Sequence, residues 1–222
     1  DKRIDTFRKL VDRLGYGKVV WRFDPLILAN SLTVEELLEK VQRIGDRLKG
    51  YTEKLVFSFA DISTYKKVQG NLYKNGIRYR EFTDEDMLEF AGKLAGMNRN
   101  WNFELATCAE KIDLDIYGIK HNKCIDDALM IKYFSSDQVL MNHLGVEVSQ
   151  NMFGELCIAY KKKTKDKGQR KVCGCIDSKD IGEYNTCPHL CEYCYANSSK
   201  EIARQNYAKH RENPNNENIT GR

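Results

Sequence analysis

Cys187-Pro188-His189-Leu190-Cys191-Glu192-Tyr193-Cys194 sets three thiols at C-x3-C-x2-C spacing, with Tyr193 directly before the third. Thiolates this close along one loop can each ligate one iron of a cubane iron–sulfur cluster. Three ligands leave the fourth iron open, and an open iron can bind a substrate or a cofactor. Zinc is the competing ion, but structural zinc sites take four ligands, usually from C-x2-4-C pairs. His189 lies inside the loop and is read as packing there.

Four more cysteines admit a joint reading: Cys108, Cys124 in His121-Asn122-Lys123-Cys124, and Cys173-Gly174-Cys175. Gly174 lets the backbone turn so that both flanking sulfurs can face one ion. With Cys108 and Cys124 they are enough for a second, fully ligated cluster or a zinc. Their convergence in space is therefore expected. The competing reading makes Cys108 and Cys124 small buried residues. His121 is an alternative ligand or a hydrogen-bonding group. Cys157 lies in an apolar run and is assigned to the core.

The elements that must carry these residues alternate. Residues 2–14 show an amphipathic helical face (Ile4, Phe7, Leu10, Val11, Leu14), stopped by Gly15 and Gly17. Val19–Phe23 reads as a strand ended by Asp24-Pro25. Thr33 and Glu36 make a capping box for a helix ending at Gly50. Lys54–Phe59 is a second strand, and 65–74 a polar helix closed by Gly76. Thr83 with Asp86 caps the next helix, and Phe103–Cys108 is a third strand. Val146, Val148, Leu156, Ile158 and Tyr160 could form a hairpin. Ser198 with Glu201 caps a last helix to about His210.

Strands alternating with helices indicate parallel βα units. The expected fold is α/β: a partial TIM-barrel-like parallel sheet with outer helices, plus a C-terminal cysteine-rich loop and helix. The expected divisions are a partial barrel over 1–134, an insertion with a basic loop over 135–172, the metal-cluster segment over 173–211, and a disordered tail over 212–222. In parallel α/β folds ligands meet the C-terminal ends of the strands. Arg22, Asp24, Asp61 and Glu110 all follow or end strands and are candidate cofactor-binding residues. Arg22 suits a carboxylate or phosphate, and the acids suit a ribose, an amine or a substrate.

A chain of 222 residues with 41% hydrophobic and 31% charged residues is of globular, water-facing composition. No apolar run approaches the roughly 20 residues that span a bilayer, so no membrane is expected. Eight cysteines without a signal peptide fit metal ligation in a reducing cytoplasm better than a disulfide scaffold. The net charge of +4 permits a nucleic-acid or phosphate partner without arguing for one. The chain opens inside a helical pattern and without Met, so a preceding segment is expected.

The three-thiol loop with Tyr193 resembles the signature of radical S-adenosylmethionine enzymes. That resemblance implies a 4Fe-4S cluster on Cys187, Cys191 and Cys194, with Tyr193 beside the bound S-adenosylmethionine. It also implies an electron donor such as ferredoxin or flavodoxin, and a small-molecule or nucleic-acid substrate. Over nearly its whole length the sequence resembles the bacterial family called domain of unknown function 1848. The matching stretches are Val20–Pro25, Ser58–Asp61, Thr107–Glu110, Tyr117–His121, and Cys173–Cys175 through Asp180–Gly182 and Tyr184–Cys187 to Cys194–Asn197. This resemblance implies a TIM-barrel-like protein with a radical-SAM-like cysteine motif, distantly similar to spore photoproduct lyase. It also implies a further N-terminal part bearing a Ser-Arg-Arg-Thr-Asp-type stretch. Radical SAM enzymes usually place their loop after the first barrel strand, whereas here it lies near the C-terminus.

Overall fold

A computed structural model describes residues 1–161 and 165–220, without the side chain of Leu156. Parts of the expected basic loop (162–164) and of the expected disordered tail (221–222) lie outside the described residues. The elements in chain order are α1 (Lys2–Leu14), β1 (Trp21–Leu26), β2 (Leu28–Ala29), α2 (Val34–Leu48), β3 (Lys54–Phe59), α3 (Lys66–Lys74), β4 (Tyr79–Arg80) and α4 (Asp84–Trp101). They continue with β5 (Glu104–Thr107), β6 (Ile119–His121), α5 (Asp127–Phe134), α6 (Gln138–Leu144), β7 (Val146–Gln150), β8 (Leu156–Tyr160) and α7 (Lys200–Glu212). The chain divides into two compact units. The first comprises Asp1–Leu26, Leu32–Ala60 and Phe82–Ser178; the second comprises Ile27–Ser31, Asp61–Glu81 and the stretch from Lys179 onward.

The first unit is a mixed α/β body around a four-stranded parallel sheet of order β1-β3-β5-β6. Among the described residues this sheet is open rather than closed into a barrel, with β1 and β6 as its edges. β1 runs past Asp24-Pro25 to Leu26 through a register shift after Phe23, beyond the end expected at Asp24. An edge strand tolerates Pro because one of its sides needs no N–H donor. β6 was not anticipated: three residues are too few to show an alternating pattern.

β3 is buried along most of its length, and Val56 and Phe57 are almost wholly covered. Such continuous burial is what a strand inside a helix-covered parallel sheet requires. Phe57 packs on Phe90 of α4 with ring centroids 5.5 Å apart. Each such side chain contributes about 1.5–3 kcal/mol on burial. Both expected capping boxes form, at Thr33/Glu36 and Thr83/Asp86. Gly45 sets how closely α2 approaches α4, since a Cβ there would lie 2.6 Å from the Trp101 ring. Trp101 Nε1 in turn donates to Asp46 Oδ1 at 2.7 Å. On α1 only Val11 is buried; Leu10 and Leu14 are exposed, so the amphipathic face is only partly covered.

β7 and β8 form the expected antiparallel hairpin. Val146 and Val148 face a small core with Ile131, Met141, Leu144 and Ile176. Cys157 is paired with Ser149 on the other face and is exposed, which corrects its assignment to the core. The apolar run misled because this strand lies at the surface, where Ile158 and Tyr160 are exposed as well.

The second unit contains the β2–β4 pair, α3, the cysteine loop and α7. The α7 cap is Ser199, not Ser198: its hydroxyl accepts from the N–H groups of Glu201 and Ile202. The chain after α7 continues in turns, and Thr220 Oγ1 donates to Glu183 Oε1 at 2.7 Å.

Candidate metal-thiolate sites

In the first unit, β5 and β6 end side by side, with Thr107 opposite His121. Cys108 follows β5, and its N–H still bonds Phe57 O at 2.8 Å. Ala109 then takes φ 56°, a left-handed conformation uncommon for a residue with a Cβ and costing on the order of 1 kcal/mol. Beyond that turn Glu110 Oε1 accepts the N–H of Phe59 at 2.8 Å, so its carboxylate ties β5 to the end of β3. His121 Nδ1 lies 3.5 Å from Thr107 Oγ1, at the limit of hydrogen-bonding reach.

Three of the four candidate second-site thiols are linked by hydrogen bonds. Cys108 Sγ and Cys124 Sγ are 3.2 Å apart. Cys175 Sγ accepts the backbone N–H groups of Cys124 (3.1 Å) and Ile125 (3.4 Å). Cys173 lies buried two residues before Cys175, and its N–H bonds Arg170 O. Gly174 makes this approach feasible: a Cβ there would sit 3.1 Å from Lys123 Cγ and 3.9 Å from Asn122 O. The Ile176 N–H reaches Ile125 O at 3.3 Å and closes the clasp between the two segments.

Arg22 on β1 supplies the cation. Its Nη1 donates to Cys124 Sγ at 3.0 Å, while Nε and Nη2 fork onto the Asp24 carboxylate at 3.3 and 2.6 Å. Burial alone would lower the Arg22 pKa, but its bonds to Asp24, Cys108 and Cys124 outweigh that and raise it. The Cys108 thiol is drawn down to about 6, first by the hydrogen bond from Cys124 and, against burial, by Arg22. Cys124 is pushed up by the same bond and by burial. The two shifts describe one proton shared between two sulfurs, so the pair carries one thiolate at neutral pH. Burial raises Cys173.

In the second unit, the cysteine loop is tied down at both ends by Asn185. Its Oδ1 accepts from Ser198 Oγ (2.6 Å) and Ser199 N–H (3.2 Å), and its backbone carbonyl accepts from Asn206 Nδ2 of α7 (2.9 Å). Asn197 holds the middle: its N–H donates to Cys194 Sγ (3.3 Å) and its Nδ2 to Cys187 O (2.9 Å). Asn197 Oδ1 is buried without a hydrogen-bond partner. On the α3 side Lys67 donates to Asn197 O, and Asn71 and Asn75 bond Glu192. Glu192 also pairs with Lys200.

Cys187 and Cys191 are exposed and Cys194 is half-buried, and all three are free thiols. A cavity of about 220 Å³ opens beside Cys191 and Cys194, lined also by Lys67, Asn71, Asn197 and Lys200. Tyr193 is half-buried in the loop, and His189 is exposed rather than packed. The following Tyr195 stacks on Tyr65, with centroids 6.3 Å apart. Asp61, expected beside Arg22, Asp24 and Glu110, belongs to this second unit and precedes a short 3-10 turn over Ile62–Thr64. Sequence reasoning gave no role to Asn197, Lys67 or Asn71. Only Asn197 carried a signal, since it ends the Cys194–Asn197 stretch three residues after the last thiol of the motif. Among the described residues, no three or more His, Cys, Asp and Glu side chains are grouped so as to hold a metal ion as they stand.

Residues 1–196 match the family model described as Domain of unknown function (DUF1848), and the chain belongs to that family. No curated protein and no solved structure matches it.

Proposed function

We propose that this DUF1848 protein is an iron–sulfur enzyme of the radical S-adenosylmethionine type, with its cluster on Cys187, Cys191 and Cys194. The observation that carries the reading is the three-thiol loop itself. It has free sulfurs, an N–H directed at Cys194, and a polar cavity alongside. A cubane takes each thiolate at a separate iron, so the three sulfurs need not meet at one point. When bound, the cluster would pass one electron to S-adenosylmethionine, whose cleavage to methionine and a 5′-deoxyadenosyl radical allows hydrogen abstraction from a substrate.

The chain's own residues would bind and orient. Lys67 and Lys200 line the cavity and suit a carboxylate, while the unpartnered Asn197 Oδ1 suits an amino N–H. Taken unit by unit, Arg22, Asp24 and Glu110 in the first and Asp61 and Tyr193 in the second are candidates for cofactor or substrate contacts. The substrate class is a small molecule or a nucleic acid, and the electron would come from a ferredoxin or flavodoxin. Cys108, Cys124, Cys173 and Cys175 would form a second metal site.

A second reading draws on the approach of Cys108, Cys124 and Cys175: a metal-stabilised binding or electron-transfer protein without radical chemistry. Elemental analysis of anaerobically purified protein separates the two. The enzyme reading expects a brown protein with about four irons and four sulfides bound through the loop, lost in Cys191→Ala. A colourless protein holding only zinc would overturn it.

A further inference from the structure

We infer that Cys108, Cys124, Cys173 and Cys175 hold one tetrahedral zinc ion rather than a second cluster. This rests on the metal-thiolate part of the reading above and not on radical chemistry. Zn–S bonds of about 2.3 Å at tetrahedral angles put ligand sulfurs about 3.8 Å apart. Thiolates on separate irons of a cubane stand roughly 6 Å apart. The 3.2 Å between Cys108 and Cys124 is close to the first spacing and far from the second.

The surrounding donors are those of a thiolate site. Cys175 Sγ accepts two backbone N–H groups, from Cys124 and Ile125, and Cys124 Sγ accepts from Arg22. Such outer contacts orient metal-bound sulfur and disperse its charge. The two ligand-bearing segments are already clasped by the Ile176–Ile125 bond and by the close approach of Gly174 to Lys123. Cys173 and Cys175 lie outside helices and strands, and zinc binding requires their side chains to turn onto the Cys108–Cys124 pair.

The test uses the full chain with Cys187, Cys191 and Cys194 all replaced by Ser, purified anaerobically. It should retain about one zinc per chain and almost no iron. Cobalt(II) added to the metal-stripped chain should give the strong visible bands of tetrahedral cobalt thiolate. Cys124→Ser should weaken cobalt binding by on the order of 100-fold or more, and Arg22→Gln by roughly 10–100-fold.

If the triple variant does not fold, alkylation of the unmodified chain answers the same question. Zinc should protect Cys108, Cys124, Cys173 and Cys175 while leaving Cys157 reactive. Iron and sulfide retained in the triple variant would overturn the assignment in favour of a cluster. Four thiols that stay alkylated at the same rate with and without zinc would also overturn it. Failure of the radical reading would appear as missing iron in the unmodified protein and would leave the zinc result untouched.

Discussion

A thiol 3.2 Å from another thiol and beside a guanidinium does not titrate like an isolated cysteine. In metal-free protein, the Cys108–Cys124 pair should become reactive to iodoacetamide as pH rises through a midpoint near 6. The sign follows from the lowered pKa: above it the pair holds a nucleophilic thiolate, below it the proton returns and reactivity falls. Arg22→Gln removes the cation and should move the midpoint upward. A wild-type midpoint near 9, the ordinary value for the group, would contradict the described contact. Cys157 supplies the contrast. On the outer face of the β7–β8 hairpin, Cys157→Ser should change stability by less than about 0.5 kcal/mol in urea denaturation.

Elements enter by fixing distances. α2 and α4 meet at Gly45, and Gly45→Ala would push a methyl group into the Trp101 ring. The expected cost is about 1–3 kcal/mol, measured as a lower urea midpoint with unchanged slope. Asn185 plays the corresponding part for the cysteine loop: it takes φ 60° and bonds Ser198, Ser199 and Asn206. Asn185→Ala should leave α-helical circular dichroism nearly intact while reducing iron retention after anaerobic reconstitution; equal iron retention would show that the loop does not need this clasp.

Much of this scale was legible in the sequence, because capping boxes and the periodicity of 34–48 and 84–101 are local signals. β6 was not legible, since Ile119–His121 owes its strand character to pairing with Leu105–Thr107. The cap at Ser199 was missed by one residue because Asn185, distant in sequence, captures Ser198.

At the scale of the whole molecule, the chain is two compact units, each with its own set of cysteines: Cys108, Cys124, Cys157, Cys173 and Cys175 in the first, and Cys187, Cys191 and Cys194 in the second. The spacing of the C-terminal three was visible in one stretch of sequence. The approach of Cys108 to Cys124 could be expected from ligand arithmetic, but the part of Arg22 beside them depends on a fold that brings β1 to the same sulfurs. Among the described residues no helix is long and apolar enough to cross a membrane. We propose that an open iron held by Cys187, Cys191 and Cys194 binds S-adenosylmethionine. Anaerobically reconstituted protein, given dithionite and S-adenosylmethionine, should release 5′-deoxyadenosine, and Cys191→Ala should abolish its release. No 5′-deoxyadenosine, together with a cluster paramagnetic resonance spectrum that S-adenosylmethionine does not change, would contradict the account.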